Sequence, residues 1–557
     1  MRHYFYRYKR IFKNGVSVMK KLQLLLLFLI STSALSAMSF SEQQTYSKQI
    51  STTPGNALYI ENLQSDILIT GSDKNEINVE ATIEVSDLPS DLREEFFNAI
   101  ELDLVNYRGG YRVHLKTPAD DRRFYRKEGL FSFFRGLFGA ERDISIYKQI
   151  KITIPVEQSI DLDNEFGDIE VKNVQGNLII ENSSGEIYME NCAGVLQLQN
   201  NYAFNEIYDF DGDVTVRGSS NAITAKNISG DLNIKASYKP VRLEKVGGNL
   251  IIRGQSCDVF VDDVQGKCDV STSYKSIEIR NVSGELIIDG TSCSITAANI
   301  AQDAIIETSY KPLIIEDVMG RLDIRGTSTS VSAKNISKGA SIRTSYKDIS
   351  LEHISGDLDI DGSSCTVSIN DVVGNVSVTS SYKQIYVANI SGGLKVKGSS
   401  SPVTAKFIGK DVIIRSSYKD LRCENIGGNV DIDGASCSVI LDSIAGNINV
   451  SNSYKYVTIS RSSGSIEVHG SSSPIEVDKI EKLPKGGYIK LITTYKPVRL
   501  NLPENADVII SLKTKHGKIR SDYPVYIEDE DVKPIKIELG EGNTVVTIET
   551  DGDITLK

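Results

Sequence analysis

The sequence has no tryptophan, and only 13 prolines and five histidines among its 557 residues. Its seven cysteines include no C-x-x-C pair and no Cys/His cluster with the spacing of a zinc site. It also lacks the motifs of phosphate-binding loops, metalloproteases, serine hydrolases and dinucleotide-binding folds. These absences argue against the common metal- and nucleotide-dependent enzymes. We therefore expect no catalytic residue, no metal and no cofactor.

Long apolar runs are missing except for a short one near the N-terminus. Met19–Lys21 carries positive charge, Leu22–Ile30 is apolar, and Leu35–Ala37 offers small residues for cleavage. Residues 1–37 are therefore predicted to be an export signal whose natural start is Met19. A transmembrane anchor is the alternative, disfavoured because the run is shorter than the ~20 residues needed to span a bilayer. The predicted location is the periplasm, the cell surface or the medium.

Basic residues are outnumbered by acidic ones, and the imbalance grows once the signal is removed. The whole chain has a formal charge of −11, but residues 1–37 hold seven basic residues and no acid. The remainder has 55 basic and 73 acidic residues, a net charge of −18. Such a chain repels phosphate, so nucleic acid is not expected as a partner.

A dipeptide repeat is the most regular feature of the sequence. Tyr-Lys recurs every 36 residues, and serine stands halfway between successive tyrosines, so that two 18-residue units alternate. A fixed period of this kind is typical of stacked repeat architectures. The column continues backwards to Tyr202 and Phe166. The dipeptides are Tyr238-Lys239, Tyr274-Lys275, Tyr310-Lys311, Tyr346-Lys347, Tyr382-Lys383, Tyr418-Lys419 and Tyr454-Lys455.

Within one unit, apolar and polar residues alternate in two short runs. Ile349 and Leu351 form the first apolar run and Leu358 and Ile360 the second, with Gly356 at a turn between them. A period of two predicts strands. The sequence therefore predicts an all-β, single-stranded β-solenoid (β-helix) of about 18 coils, with 18-residue coils paired into 36-residue repeats and a cap at each end. The apolar spacing favours the right-handed form.

The region around residue 160 resembles a known family. Ile152–Val156, followed by Asn164–Ile169 and then repeated Ser-Gly-x-Leu/Ile, is similar to the bacterial putative-adhesin family of exported repeat proteins. Asp66–Gly71 is similar to the entry segment of that family, so the resemblance covers about residues 54–557. It implies an exported β-solenoid with no established catalytic residues.

Changes in spacing predict the domain boundaries. Residues 38–157 form an N-terminal entry and capping region, including a short helix near Asp91–Ile100. Residues 158–485 form the β-solenoid. The interval from Tyr454 to Tyr495 is 41 residues rather than 36, which indicates an insertion around 481–487. Residues 486–557 are then the C-terminal solenoid end and cap.

The Tyr-Lys columns are the first candidate ligand face. Alternate residues of a strand point to the same side, so Tyr346 should point the same way as Ile342 and Thr344, inward or along the corner between two strands. We therefore favour the interpretation that the tyrosine rings fill the corners of the coils. The alternative is a row of exposed rings about 9.6 Å apart beside lysine ammonium groups, a spacing suited to sugar rings or an anionic polymer. Cysteines occupy the lysine column in alternate coils, too far apart to pair, and are predicted to be free thiols. They are Cys257, Cys293, Cys365 and Cys437.

A basic and aromatic loop at residues 122–139 is the second candidate. It has five basic residues and one acid in an otherwise acidic protein. One interpretation is a plug over the N-terminal end of the solenoid, and the other is contact with a membrane or a partner. The residues of the second interpretation are Arg122, Arg123, Phe124, Phe131, Phe133, Phe134 and Phe138.

The predicted function is that of a non-enzymatic exported scaffold or adhesin that presents a repetitive face to the envelope or a surface. Its expected partners are glycans or another envelope or surface protein, with peripheral membrane contact through residues 122–139. One alternative is a carbohydrate-active β-helix enzyme, because Asp357 and Asp359 lie roughly 7 Å apart along a strand. The uninterrupted repeat leaves little chain for a catalytic cleft. The other alternative is a periplasmic envelope-sensing module.

Overall fold

The structure, a computed structural model, describes residues 41–118, 145–524 and 534–557, apart from residues 54, 62, 87, 89 and 484. Within these ranges it contains 48 strands and a single helix. Most strands stack in parallel on the strand 18 residues earlier. The predicted all-β solenoid with 18-residue coils is therefore confirmed.

Each coil contributes one strand to each of two stacks, sheet A and sheet B. A turn containing glycine leads from sheet A to sheet B. A corner leads from sheet B back to sheet A: it contains the Tyr-Lys dipeptide in one coil (the Tyr-Lys coil) and serine followed by a small residue, most often cysteine, in the next (the Ser-Cys coil). Two long strands, β11 (Ile187–Asn200) and β12 (Phe204–Arg217), run through both sheets.

The other sheet A strands are short and follow the chain in order. They are β3 (Asp66–Ser72), β9 (Ile169–Lys172), β13 (Ala222–Ile228), β15 (Val241–Val246), β17 (Val259–Val264), β19 (Ser276–Val282), β21 (Ser294–Ile300), β23 (Leu313–Val318), β25 (Val331–Ile336), β27 (Ile349–Ser355), β29 (Val367–Val373), β31 (Ile385–Ile390), β33 (Val403–Ile408), β35 (Leu421–Ile426), β37 (Val439–Ile444), β39 (Val457–Ser462), β41 (Ile475–Asp478) and β43 (Val498–Leu500).

The sheet B strands alternate with them. They are β2 (Ala57–Glu61), β8 (Ser159–Phe166), β10 (Leu178–Ser184), β14 (Leu232–Ser237), β16 (Leu250–Gln255), β18 (Cys268–Ser273), β20 (Leu286–Thr291), β22 (Ala304–Ser309), β24 (Leu322–Thr327), β26 (Ala340–Ser345), β28 (Leu358–Ser363), β30 (Val376–Ser381), β32 (Leu394–Ser399), β34 (Val412–Ser417), β36 (Val430–Ala435), β38 (Ile448–Ser453), β40 (Ile466–Ser471) and β42 (Tyr488–Thr493).

The core lies between the two sheets. In one coil, Ile349, Leu351 and Ile354 of sheet A and Leu358 and Ile360 of sheet B are all buried. The same positions are apolar in the coils above and below, so each strand covers the apolar side of its neighbour. Stability is then mainly a sum of contacts between adjacent coils.

The turn from sheet A to sheet B depends on stacked glycines. The nitrogen of Gly230 donates to the carbonyl of Gly212 at 3.2 Å. A Cβ on Gly212, which has a φ of +139°, would lie 2.0 Å from the carbonyl oxygen of Gly194. Beside the glycines, the Asp231 carboxylate accepts from the backbone nitrogen of Asn249 at 2.7 Å. Where glycine stacks on glycine, the turns therefore pack backbone on backbone, which leaves no room for a side chain. Three of the coils have glutamine or lysine in this column instead of glycine.

At the N-terminal end, the order of the strands in space differs from their order along the chain. The elements there are β1 (Ser41–Ser51), β4 (Glu76–Ser86), helix α1 (Ser90–Asn98), β5 (Glu101–Tyr107), β6 (Gly110–Lys116) and β7 (Ser145–Pro155). The coil β2–β3 lies between β8–β9 on one side and β6–β7 on the other. Antiparallel strands β5 in sheet B and β4 and β1 in sheet A cover this end.

The C-terminal end is built on the same principle. Its strands are β44 (Val508–Thr514), β45 (Ile519–Ser521), β46 (Ile535–Leu539), β47 (Thr544–Thr550) and β48 (Ile554–Leu556). The last strands, β47 and β48, lie between the coil β42–β43 and the outer coil β44–β45. Parallel stacking thus extends beyond residues 158–485 at both ends. Each inserted strand therefore pairs on two sides, whereas β1 pairs with β4 alone.

The four cysteines that the spacing predicts to be free are free and buried, and so are the other three. All seven are unpaired thiols with buried side chains. Burial raises the pKa of Cys268 and of Cys423 to about 12. Their thiolate population at neutral pH is therefore negligible.

We expect Gly212→Ala to destabilise the protein more than Gly109→Ala. Both glycines have positive φ, for which a non-glycine residue costs about 1–2 kcal/mol, but a Cβ on Gly109 meets no atom within 4 Å. The midpoints of urea unfolding measure the difference. Equal shifts for the two variants would show that the glycine stack is not tightly packed.

We also expect all seven thiols to resist a thiol reagent in the native protein and to react once guanidinium chloride unfolds it. Burial keeps them protonated and out of contact with the reagent. A colorimetric thiol assay counts them in both states. A fast-reacting thiol in the native protein, or a disulfide-linked species on a non-reducing gel, would contradict this prediction.

Candidate functional site

The tyrosines of the Tyr-Lys dipeptides adopt a left-handed backbone conformation. The φ angles of the seven tyrosines, Tyr238 to Tyr454, lie between +62° and +69°. The serines of the alternate coils share this conformation, for example Ser328 with a φ of +54° and Ser364 with +58°. A bulky residue seldom adopts positive φ, because its Cβ crowds the following carbonyl. The chain repeats this cost in every second coil.

This conformation turns the rings outward. The side chains from Tyr238 to Tyr454 are 60% to 70% exposed. The interpretation that the rings fill the corners is therefore wrong. The alternation of inward and outward side chains holds only for an extended backbone, and a left-handed residue reverses the direction of its side chain. The rings form a row along one edge of the solenoid, which we call the Tyr-Lys edge.

The row of rings is longer than the dipeptide repeat. Phe166 and Tyr202 are also exposed, at 58% and 68%, and precede the first dipeptide in the same column. At the other end Ile466 pairs with Ile489, 23 residues later instead of 18, so the preceding loop absorbs the additional residues. Tyr495, with a φ of +62° and 70% exposure, therefore continues the column. The sequence contains a signal for it, since Tyr495 is followed by Lys496.

Packing inside the corner explains the 36-residue alternation. In the Tyr-Lys coil, the buried Thr344 hydroxyl donates to the carbonyl of Thr329 at 2.9 Å and accepts from its nitrogen at 3.2 Å. Ser380 bonds the backbone of Cys365 in the same way. In the Ser-Cys coil the equivalent position is glycine, such as Gly362, and the Cys365 side chain fills the space. The residue two positions before tyrosine, usually threonine or serine, therefore fills one corner type, and a small residue in the lysine column, most often cysteine, fills the other.

The lysines consequently point to solvent. All seven, from Lys239 to Lys455, are exposed, whereas Cys365 at the equivalent position is fully buried. Among the described residues, none of these lysines forms an ion pair with a carboxylate within 4.0 Å. Lysines on the outer face of sheet A behave differently, since Lys226 pairs with Glu244 at 2.8 Å and Lys406 with Glu424 at 2.8 Å.

Serines line the inner side of the row of rings. Ser345 precedes Tyr346, and its hydroxyl accepts from the backbone nitrogen of Ser328 at 3.2 Å. Ser309 and Ser453 do the same for Ser292 and Ser436. The Tyr-Lys edge thus combines aromatic faces, hydroxyl groups and ammonium groups in a repeating order.

A shallow groove on sheet A is a second surface feature. It has a volume of about 380 Å³ and runs beside Asn281, Asn299 and Asp317, with Met319 on its other side. The polar groups of this groove already bond one another, Asn299 to Asn281 at 2.8 Å and Asn335 to Asp317 at 2.7 Å. These bonds hold successive coils together, so the groove offers a ligand less unused polarity than the Tyr-Lys edge.

The carboxylates considered for sugar cleavage serve the turns or face solvent. Asp357 accepts from the backbone nitrogen of Asn375 at 2.9 Å, as the other turn carboxylates do. Asp359 lies on the exposed face of sheet B. Within the described residues no group of three or more His, Cys, Asp or Glu side chains could hold a metal ion.

Two predicted features lie outside the described residues. They are the export signal, residues 1–37, and the basic and aromatic loop, residues 122–139. In the part of the chain that the structure describes, no helix is long and apolar enough to cross a membrane.

Comparison with known proteins finds similarity only among solved structures. No family model and no curated protein matches the chain. The chain is similar to a "putative cell adhesion protein" from Clostridium sporogenes, with 10% identity over 38% of this chain and 100% of that one, at a TM-score of 0.14. It is also similar to a "putative adhesin" from Parabacteroides merdae, with 13% identity over 65% of this chain and 96% of that one, at a TM-score of 0.14.

A further similar structure is a "putative lipid binding protein" from Parabacteroides distasonis, with 14% identity over 65% of this chain and 96% of that one. Its TM-score is 0.12. With scores this low, the similarities carry no argument about function. The chain itself has the β-solenoid fold that the family resemblance implies.

We expect Thr344→Val to destabilise the protein by about 1–3 kcal/mol, because it leaves the buried backbone groups of Thr329 without partners. Thr379→Val, an isosteric change at an exposed position on sheet B, is the control and should change stability little. Urea unfolding measures both. Equal stability of the two variants would refute the corner-packing account of the alternation.

Proposed function

We propose that this protein is a non-enzymatic exported scaffold that binds an extended glycan along its Tyr-Lys edge. The observation that carries the proposal is the row of exposed tyrosines in left-handed conformation. The corner imposes this backbone conformation in every coil, since serine adopts it in the alternate coils, so the fold does not require tyrosine there. The rings are exposed and contribute little to the core. Large exposed apolar side chains that form a contiguous row are typical of a binding surface.

The spacing of the rings suits an extended polymer. Successive rings are two coils apart, about 9.6 Å, which is comparable to the length of a disaccharide unit in an extended glycan. The flat face of a sugar ring packs on the face of an aromatic ring, and the serine hydroxyls between the rings offer hydrogen bonds to the neighbouring sugar. A single such contact is weak, but many in a row bind by multivalency.

The regularity of the coils argues for binding without turnover. Catalytic clefts on β-helices need chain inserted between strands, and the repeat from Phe166 to Tyr454 keeps its 18-residue step throughout. The carboxylates of Asp231 and Asp357 are occupied by backbone bonds in the turns. The exported location rests on the predicted signal at residues 1–37.

An array of linear glycans, followed by a turnover assay on every glycan bound, tests the proposal on the mature protein. We expect binding without cleavage, and tighter binding of longer chains. Tyr310, Tyr346 and Tyr382 changed together to serine should weaken binding roughly tenfold or more, since each ring contributes about 0.5–1.5 kcal/mol. Serine is suitable because the alternate coils place it in the same backbone conformation, as at Ser328.

The matched control changes three tyrosines on the outer face of sheet A, Tyr188, Tyr208 and Tyr386, to serine. This variant should bind as the wild-type protein does. Equal binding by the edge variant and the wild type would remove the Tyr-Lys edge as the site. Cleavage of a bound glycan would favour the alternative of a carbohydrate-active enzyme.

A further inference from the structure

We infer that the glycan bound by the Tyr-Lys edge is anionic and carries about one acidic group in each disaccharide unit. This inference rests on the proposed function and concerns the chemistry of its ligand. The acidic group is a carboxylate, a sulfate or a phosphate, all of which a lysine ammonium group binds.

The charge of the edge differs from that of the rest of the protein. In the corners between residues 237 and 456 there are seven lysines, from Lys239 to Lys455, and three acids, Asp258, Asp348 and Asp420. The Asp258 carboxylate is engaged by Ser276, whose hydroxyl donates to it at 2.6 Å and whose backbone nitrogen donates at 3.1 Å. These hydrogen bonds, the larger cause, together with the charge of the nearby Lys275, lower the pKa of Asp258. A net positive strip therefore runs along a protein of net negative charge.

The lysines of the edge are available to a ligand. On the outer faces of the sheets, some of the cations are neutralised across coils: Lys334 pairs with Glu352 at 3.3 Å and Arg253 with Asp269 at 2.7 Å. Along the edge, the residues 18 positions before and after each lysine are small, such as Thr329 and Cys365 on either side of Lys347, and buried. No carboxylate of an adjacent coil in the same column can therefore neutralise Lys347. A charged ligand supplies the missing partner.

The periods of ring and charge coincide. From Tyr238 to Tyr454, each tyrosine of the row is followed directly by a lysine. Rings and ammonium groups therefore both recur about every 9.6 Å, two coil steps. A glycan in which an acidic sugar alternates with a neutral one meets both periods: one sugar stacks on the ring with its acidic group near the lysine, and the other lies over the serine of the intervening coil.

Nucleic acid fits this edge less well. Its phosphates recur about every 3.4 Å along each strand of a duplex, so most of them would find no lysine. The acidic residues of both sheet faces would also repel the remaining phosphates. The edge has one ammonium group for every two coils, and this wide spacing favours a polymer whose charges are also far apart.

The test compares hyaluronan, which has one carboxylate in each disaccharide, with the same polymer after its carboxylates are reduced to alcohols. Single-stranded DNA is the third probe. Binding of each to the mature protein is measured by biolayer interferometry at low and at physiological salt. We expect hyaluronan to bind at least about tenfold more tightly than its reduced form at low salt, and the difference to shrink as salt screens the charges.

The variants separate charge from stacking. Lys311, Lys347 and Lys383 changed together to glutamine should weaken hyaluronan binding roughly tenfold and leave binding of the reduced polymer unchanged. The control variant changes Lys338, Lys397 and Lys410, which are exposed but lie away from the Tyr-Lys edge, and should bind both polymers as the wild type does. The Tyr310, Tyr346 and Tyr382 to serine variant should weaken binding of both polymers.

Each contrary result has a distinct meaning. Equal binding of the two polymers, weakened by the tyrosine changes and not by the lysine changes, would overturn the anionic ligand and leave the proposed function intact. Binding of either polymer that is insensitive to the tyrosine changes, or no binding of either, would overturn both. Tighter binding of DNA than of hyaluronan would overturn the glycan as the ligand class.

Discussion

The parallel hydrogen-bonded contact of each coil with the coil 18 residues earlier is the constraint on which the rest of this structure depends. Because a parallel ladder requires the same backbone path in every coil, each position of the sequence becomes a column along the solenoid. The turn column admits glycine stacked on glycine, as Gly212 stacks on Gly194. The corner column requires a left-handed residue, as at Tyr346 and Ser364.

The alternation of coil types follows from how the corners are filled. Where Thr344 or Ser380 occupies the inside of a corner and bonds the adjacent coil, the residue after tyrosine cannot enter and Lys347 or Lys383 faces solvent. Where glycine leaves space, cysteine, serine or threonine turns inward. The two-coil period of rings and ammonium groups on the surface is thus set by packing in the interior, which connects the core to the ligand that we propose.

The inserted strands at both ends complete this scaffold. The coil β2–β3 and the final strands β47–β48 are each held between two other coils. Stacked repeats are held mainly by contacts with their neighbours, so an end coil with only one neighbour would be the weakest part. The inserted coils are therefore not end coils, and the outermost strands β1 and β46 each have one neighbour.

The sequence by itself determined the repeat, the strands and the free thiols, since these depend on periods of 36, 18 and 2 that every unit repeats. The family resemblance added an exported solenoid without known catalytic residues. Tertiary structure alone decided the direction of the Tyr346 side chain. The alternating pattern assumes an extended backbone, whereas Tyr346 has a φ of +62°, which reverses the direction of its side chain. For Tyr495 the sequence holds the Tyr-Lys signal and the insertion, and the pairing of Ile466 with Ile489 shows that a loop absorbs the additional residues. The strand order at the two ends has no period, and only the pairing of distant strands reveals it.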